Sequence, residues 1–265
     1  MKTPTLLPTA ADSLIRELEA ELGPLEGPER NLGDDVLDHL DSKIDALLQD
    51  IHKSELWAAI TAPDRDLRLL KELMKEIHLE IFSYQADVIE ATIAIIGQMP
   101  RSLDSRKVRA MLIHQAEEFS HGEMALRDYI LLGGDEKYAR EQHLASPAAF
   151  STMALWRMIQ SHRDPFMYLG ALYMFEGLTP IISGMVKPYL KDLEMPAETF
   201  EFLEFHSTED IKHTNLIRHL IRTVVAKYPE AAVSAKYGLD CFLAVYPVPV
   251  WNAALERAKQ TCAVG

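Results

Sequence analysis

Cysteine is scarce. The 265-residue chain has two, Cys241 and Cys262. That excludes a disulfide framework, a thiolate zinc site and a cysteine-held iron–sulfur cluster. Positive charge is also in short supply, with 27 Lys and Arg against 40 Asp and Glu, a formal net charge of −13. Nucleic-acid and anionic-membrane binding rest on a basic surface, so neither partner is expected. The opening residues, MKTPTLLPTAADSL, hold no apolar run of signal-peptide length, and the expected compartment is a reducing cytoplasm. Alternating β-branched runs, Asn-Gly hairpin signals, internal repeats and low-complexity segments are all missing. One long apolar run exists: the 22 residues between Asp164 and Lys187 carry a single charge, Glu176. A membrane span takes about 20 apolar residues, but a carboxylate at its middle is expensive. The run therefore reads as the core helix of a bundle, and its carboxylate needs a partner.

What is present is helical periodicity. Hydrophobic residues make up 48% of the chain, enough for a sizeable core. Residues 1–33, rich in proline and glycine, read as an arm with one short helix at about 10–22. Residues 34–265 read as a single helical domain. From Asp34, Val36, Leu37, Leu40, Ile44, Leu47, Leu48 and Ile51 recur at helical spacing. Further helices are expected at about 65–98, 102–132, 147–161, 165–190 (kinked at Pro180) and 195–228, with a broken last stretch after Pro229. The fold class is all-α.

Metal-competent side chains recur on the faces expected to be buried. His206, Asp210 and His213 stand at i, i+4 and i+7, on one helix face shared with Leu203, Ile217 and Leu220. Glu118 and His121 stand at i and i+3, the Glu-x-x-His arrangement of di-metal carboxylate bundles. Glu117, about 100° away, stays open as an alternative. Glu176 is a carboxylate in apolar surroundings, which has to take a proton or a cation. Glu80 shares a face with Leu73, Ile77, Tyr84 and Val88. His114, two turns before His121, is open as a further ligand or as a hydrogen-bond donor to one. Glu80, Glu118, Glu176 and Asp210 together carry −4, which two divalent ions balance, with His121, His206 and His213 neutral. Mixed imidazole and carboxylate donors favour redox-active iron, with manganese as the alternative. Tyr84, Phe119, Tyr173 and Thr179, neighbours of these residues in sequence, are the expected lining of a substrate pocket.

In this order and spacing the seven residues resemble the haem-oxygenase-like di-iron oxidases and oxygenases. Their pattern is a glutamate, then Glu-x-x-His, then a single glutamate, then His-x-x-x-Asp-x-x-His. The resemblance covers residues 80–213. It implies a bundle of about seven core helices, two Fe(II) ions and O2 as co-substrate. The implied substrate is a small carboxylate, either an aliphatic amino acid or a fatty-acid-like molecule. The implied outcome is C–H abstraction leading to desaturation, decarboxylation or C–C fragmentation, within natural-product biosynthesis. Amine N-oxygenation, a non-catalytic iron-binding bundle and a cofactor-free relative are the alternatives; a di-metal hydrolase would use similar donors. A homodimer and an external electron donor are the further partners it implies.

Overall fold

A computed structural model of the protein describes residue 16, residues 31–208 and residues 210–264. The short helix expected at about 10–22 therefore lies, but for residue 16, outside the described residues. Among the described residues no strand occurs, and the chain is a bundle of α-helices. The first, α1 (Leu32–His52), opens on a capping box. The Asn31 side chain accepts from the Gly33 N–H at 2.7 Å, and the Asp34 carboxylate accepts from the Asn31 N–H at 2.7 Å. A short helix, α2 (Glu55–Thr61), is capped by the Ser54 hydroxyl. Then come α3 (Leu67–Ile96), α4 (Ser105–Glu118), α5 (His121–Leu131), α6 (Glu136–Glu141) and α7 (Pro147–His162). The chain continues through α8 (Met167–Leu190), α9 (Glu201–His206), α10 (Asp210–Lys227), α11 (Ala231–Leu243) and α12 (Val248–Val264).

Two helices expected to be continuous are interrupted. The 102–132 stretch divides at Phe119–Ser120, and the 195–228 stretch divides after His206. Periodicity does not reveal the first break because the backbone stays helical through it. Phe119 (φ −58°, ψ −31°), Ser120 (φ −91°, ψ −7°) and Ser207 (φ −67°, ψ −14°) all keep right-handed helical dihedrals. At Phe119–Ser120 the hydrogen-bond ladder loosens while the backbone stays helical.

The apolar run becomes α8, which packs against α1, α9, α10 and α11. It passes a length-and-hydropathy test for a membrane span, yet two-thirds of its apolar window is buried inside the protein. Its contact with α11 depends on two glycines. A Cβ at Gly170 would lie 1.7 Å from the Ala235 carbonyl oxygen, and one at Gly238 would lie 2.2 Å from the Met167 oxygen. Each helix thus accepts the other's backbone directly. Pro180 sits inside α8 and has no N–H to offer the Glu176 carbonyl one turn back. The Thr214 hydroxyl of α10 approaches that carbonyl at 2.6 Å, sharing its one proton with the Asp210 carbonyl at 2.7 Å. The proline expected to kink the helix thereby ties α8 to α10, beside Glu176.

Candidate metal centre

The helix ends deliver the polar residues. Glu118 is the last residue of α4 and His121 the first of α5. His206 is the last of α9 and Asp210 the first of α10, with His213 a turn later. Glu176 comes from the middle of α8 and His114 from α4. All seven are buried.

Glu118 lies between two groups. Its Oε2 is 2.6 Å from His121 Nδ1, and that nitrogen is 3.1 Å from His206 Nε2. Its Oε1 is 3.4 Å from His213 Nδ1 and 3.8 Å from His114 Nε2. Glu176 completes the second group, with Oε1 3.3 Å from His114 Nε2 and Oε2 3.5 Å from His213 Nδ1. Asp210 Oδ1 adjoins it, 3.6 Å from His213 Nδ1. Ligand atoms of His114, Glu118, Glu176 and His213 all fall within 4.8 Å of one another, as do those of Glu118, His121 and His206. One carboxylate is common to both groups.

The electrostatics are those of a crowded, dry site. Burial pushes the Glu118 carboxyl up, but the neighbouring imidazoles of His121 and His213 outweigh it and hold the group well below the usual carboxylate range. Glu176 is likewise pushed up by burial, and pulled down to about 2 by His114 and then His213, against the Glu118 charge. Burial and the neighbouring Glu176 raise Asp210 to about 8. Burial, with His121 alongside, lowers His206 to about 4. Burial works against charge on His213, but Asp210, Glu117, Glu118 and Glu176 together raise it well above the ordinary histidine value.

A cation fits this donor set. Glu118 Oε1, Glu176 Oε2, Asp210 Oδ1, His114 Nε2 and His213 Nδ1 are buried and without a hydrogen-bond partner. Buried polar atoms are ordinarily paired, and each orphan costs free energy. Ligand atoms of four of these residues lie within 4.8 Å of one another, and Asp210 Oδ1 is 3.6 Å from His213 Nδ1; positive charge placed among them relieves them. Imidazole and carboxylate, with no thiolate, are the donors iron takes.

Glu80 does not join the cluster. Its fully buried carboxylate accepts from the Ser146 N–H at 3.2 Å and the Ser146 hydroxyl at 3.0 Å, and it pairs with Arg257 of α12. Arg257 also holds Glu76 at 2.7 Å. This network fastens α12 and the start of α7 onto α3. Glu80→Gln is expected to lower unfolding stability by about 1–3 kcal/mol, the cost of imperfectly satisfied buried partners. Urea unfolding at neutral pH measures it.

A largely apolar cavity ends at the cluster, with about 1150 Å³ of empty space counting its mouth. Glu118, Glu176, His206 and Asp210 form its polar end. Ile51, Trp57, Ile60, Met74, Ile81, Val88, Leu178 and Val186 are among its apolar walls, and no lysine or arginine lines it. Tyr84 and Thr179 line this cavity. Phe119 and Tyr173 do not. Phe119, one residue from Glu118 and so about 100° around the helix, is 75% exposed. The Tyr173 hydroxyl is drawn to Asp41 and Arg218 on the other side of α8.

Sequence reasoning passed over Asp128 entirely. This fully buried residue of α5 accepts from the backbone N–H groups of Glu201 and Phe202, at 3.1 and 2.9 Å, at the start of α9. His78 of α3 stands 3.3 Å behind it.

Two solved structures share this architecture. A domain of unknown function with a heme oxygenase-like fold from Shewanella denitrificans superimposes with a TM-score of 0.67 at 20% identity, over 86% of this chain and 94% of that one. A TenA homolog from Pseudomonas syringae pv. tomato gives a TM-score of 0.62 at 14% identity, over 90% of this chain and 97% of that one. At these identities the likeness concerns the fold, which is haem-oxygenase-like. A family described as iron-containing redox enzymes matches residues 84–246, and the chain belongs to that family. No curated protein matches the sequence.

Proposed function

We propose that the protein is a di-iron, O2-dependent oxidase acting on a carboxylate with a long apolar tail. The observation that carries this reading is the division of Glu118. One of its oxygens faces His121 and the other faces His213 and His114, so this one carboxylate would serve both donor groups if each held a metal. Glu118, His121, Glu176, His206, Asp210 and His213 are the proposed ligands, and Glu80 is not among them.

Iron held there supplies the electrons that O2 needs to react with a closed-shell organic molecule; the protein supplies binding, orientation and exclusion of side reactions. The apolar walls accommodate a hydrocarbon tail and keep water from the cluster. The Tyr84 and Tyr246 hydroxyls stand 3.3 Å apart in this wall, one donating to the other. The Thr179 hydroxyl donates to the Phe175 carbonyl and is likewise spent within the wall. On the outer side, His213 Nε2 and the half-buried Glu117 carboxylate, 3.1 Å apart, hold a proton between the cluster and the surface. The lining favours a fatty-acid-like substrate over an amino acid. A free ammonium group would find no carboxylate in the lining other than those proposed as ligands.

The test is anaerobic loading with Fe(II) followed by mixing with O2 in a stopped-flow spectrometer. A transient visible absorption is expected, forming at least about ten-fold faster with a medium-chain fatty acid than with a small amino acid. Product formation in strictly anoxic buffer, or loading without stoichiometric iron uptake, overturns the reading.

A further inference from the structure

We propose that His114 ligates the metal centre in the place where a fourth carboxylate was expected, and that Gln115 is the positioning residue that makes it a ligand. The inference rests on the di-metal reading above and goes beyond it by assigning a ligand and the residue behind it.

The argument is one of counting protons. The Gln115 amide is buried among three groups. As placed, its Nε2 lies 3.0 Å from His114 Nδ1 and 3.4 Å from the Tyr168 hydroxyl, and its Oε1 lies against the Thr92 hydroxyl. The oxygen and nitrogen of an amide are interchangeable in shape, so the surrounding hydrogen bonds decide which is which. Suppose the nitrogen faces His114. The imidazole then accepts at Nδ1 and carries its proton on Nε2, which disqualifies it as a ligand. Tyr168 also receives from the amide, and its own proton is left without an acceptor. Thr92 gives its single proton to the amide oxygen, leaving the Ile89 carbonyl, 2.9 Å away, without it.

With the oxygen facing His114 these conflicts vanish. Thr92 donates to Ile89 and accepts from the amide N–H. Tyr168 donates to the amide oxygen, and so does His114 through Nδ1–H. Each hydroxyl proton then has an acceptor. The His114 Nε2 lone pair is turned to the cluster, 3.3 Å from Glu176 Oε1 and 3.8 Å from Glu118 Oε1. Lone pairs facing one another at that range in a buried site repel unless a cation lies between them, and Nε2 is one of the orphaned atoms there. A hydrogen bond from the far ring nitrogen is how proteins fix the tautomer of a metal-bound histidine and raise its basicity.

The experiment is Co(II) titration of the full-length protein, read by metal content, by affinity and by hyperfine-shifted proton resonances. The wild type is expected to take up two Co(II) and to show a shifted, solvent-exchangeable resonance from the His114 Nδ1–H. His114→Phe keeps the bulk of the ring; it is expected to lose that resonance and at least one ion. Gln115→Leu removes the acceptor and is expected to weaken one ion about 10–100-fold. Gln115→Glu, which can only accept from Nδ1–H, is expected to keep both ions. The proposal is overturned if His114→Phe retains two ions with unchanged affinity and an unchanged set of resonances, a result that leaves the di-metal centre standing. It is equally overturned if Gln115→Glu binds more weakly than Gln115→Leu, and that pair decides the matter should His114→Phe fail to fold. Wild-type protein that takes up no Co(II) overturns this proposal together with the di-metal reading.

Discussion

Glu118→Ala is expected to abolish metal uptake at both positions at once, whereas His206→Ala is expected to abolish it at one. Only Glu118 presents an oxygen to each donor group, at 2.6 Å from His121 and 3.4 Å from His213. Removing it leaves His121 and His206 without a carboxylate, and it takes from the other group the bridge to its neighbour. The consequence for stability follows from linkage. An ion present at 100 times its dissociation constant stabilises the folded state by about 2.7 kcal/mol per site. For a domain of this size 1 kcal/mol corresponds to about 2–4 °C in Tm. Two filled sites thus raise the wild-type Tm by about 10–20 °C over the metal-free protein. His206→Ala should keep about half of that rise, and Glu118→Ala none. Metal content after desalting and thermal melts with and without Fe(II) under argon measure both effects. Retention of two ions by Glu118→Ala contradicts a shared carboxylate.

The helices and most of the clustered residues were legible in the sequence because both depend on local spacing. Glu118 and His121, or His206, Asp210 and His213, share a face wherever the chain is helical. Glu118 and His121 continue to do so across the break at Phe119–Ser120, since the dihedrals there remain helical. What was not legible depends on partners distant in the chain. Glu80 has the right spacing and the right burial, but Ser146, 66 residues on, and Arg257, 177 residues on, claim its carboxylate. Tyr173 is near Glu176 in sequence, yet Asp41 and Arg218 decide where its hydroxyl goes. Phe119 failed for a simpler reason: adjacency in sequence is not adjacency on a helix, and residue i+1 faces away. His114 did carry a signal, its two-turn offset from His121, but the choice between ligand and donor lies in Thr92, Gln115 and Tyr168 on three different helices.

Asp128→Ala is expected to cost about 3–5 kcal/mol of stability, the usual penalty for removing one partner from a buried charged network. It is also expected to weaken selectively the metal position that includes His206. Helix α9 is six residues long, and its own N-cap residue, Phe200, supplies no capping side chain. Its first N–H groups, on Glu201 and Phe202, are satisfied from α5 by the two oxygens of Asp128. The same short helix orients His206: the Phe202 carbonyl accepts the ring Nδ1–H at 2.6 Å, and the Phe202 ring stacks on the imidazole at 3.8 Å. With Nδ1 protonated in this way, Nε2 is the atom left to face His121. Asp128 therefore fixes the backbone that fixes the ligand, with His78 behind it on α3. Asp128→Ala leaves two buried N–H groups unpaired and lets α9 shift. The position shared by Glu118, His121 and His206 should then bind about 10–100-fold more weakly. The position containing Glu176 and His213, carried by α8 and α10, should be little affected. Asp128→Asn keeps one accepting oxygen and should fall between the wild type and alanine in both stability and affinity. Urea unfolding of the metal-free proteins gives the first quantity, and stepwise Co(II) titration gives the second. A stability loss with both metal affinities unchanged would reduce Asp128 to a cap for α9. A selective loss at one position would establish that the bundle sets the geometry of His206 through a carboxylate that never touches the metal.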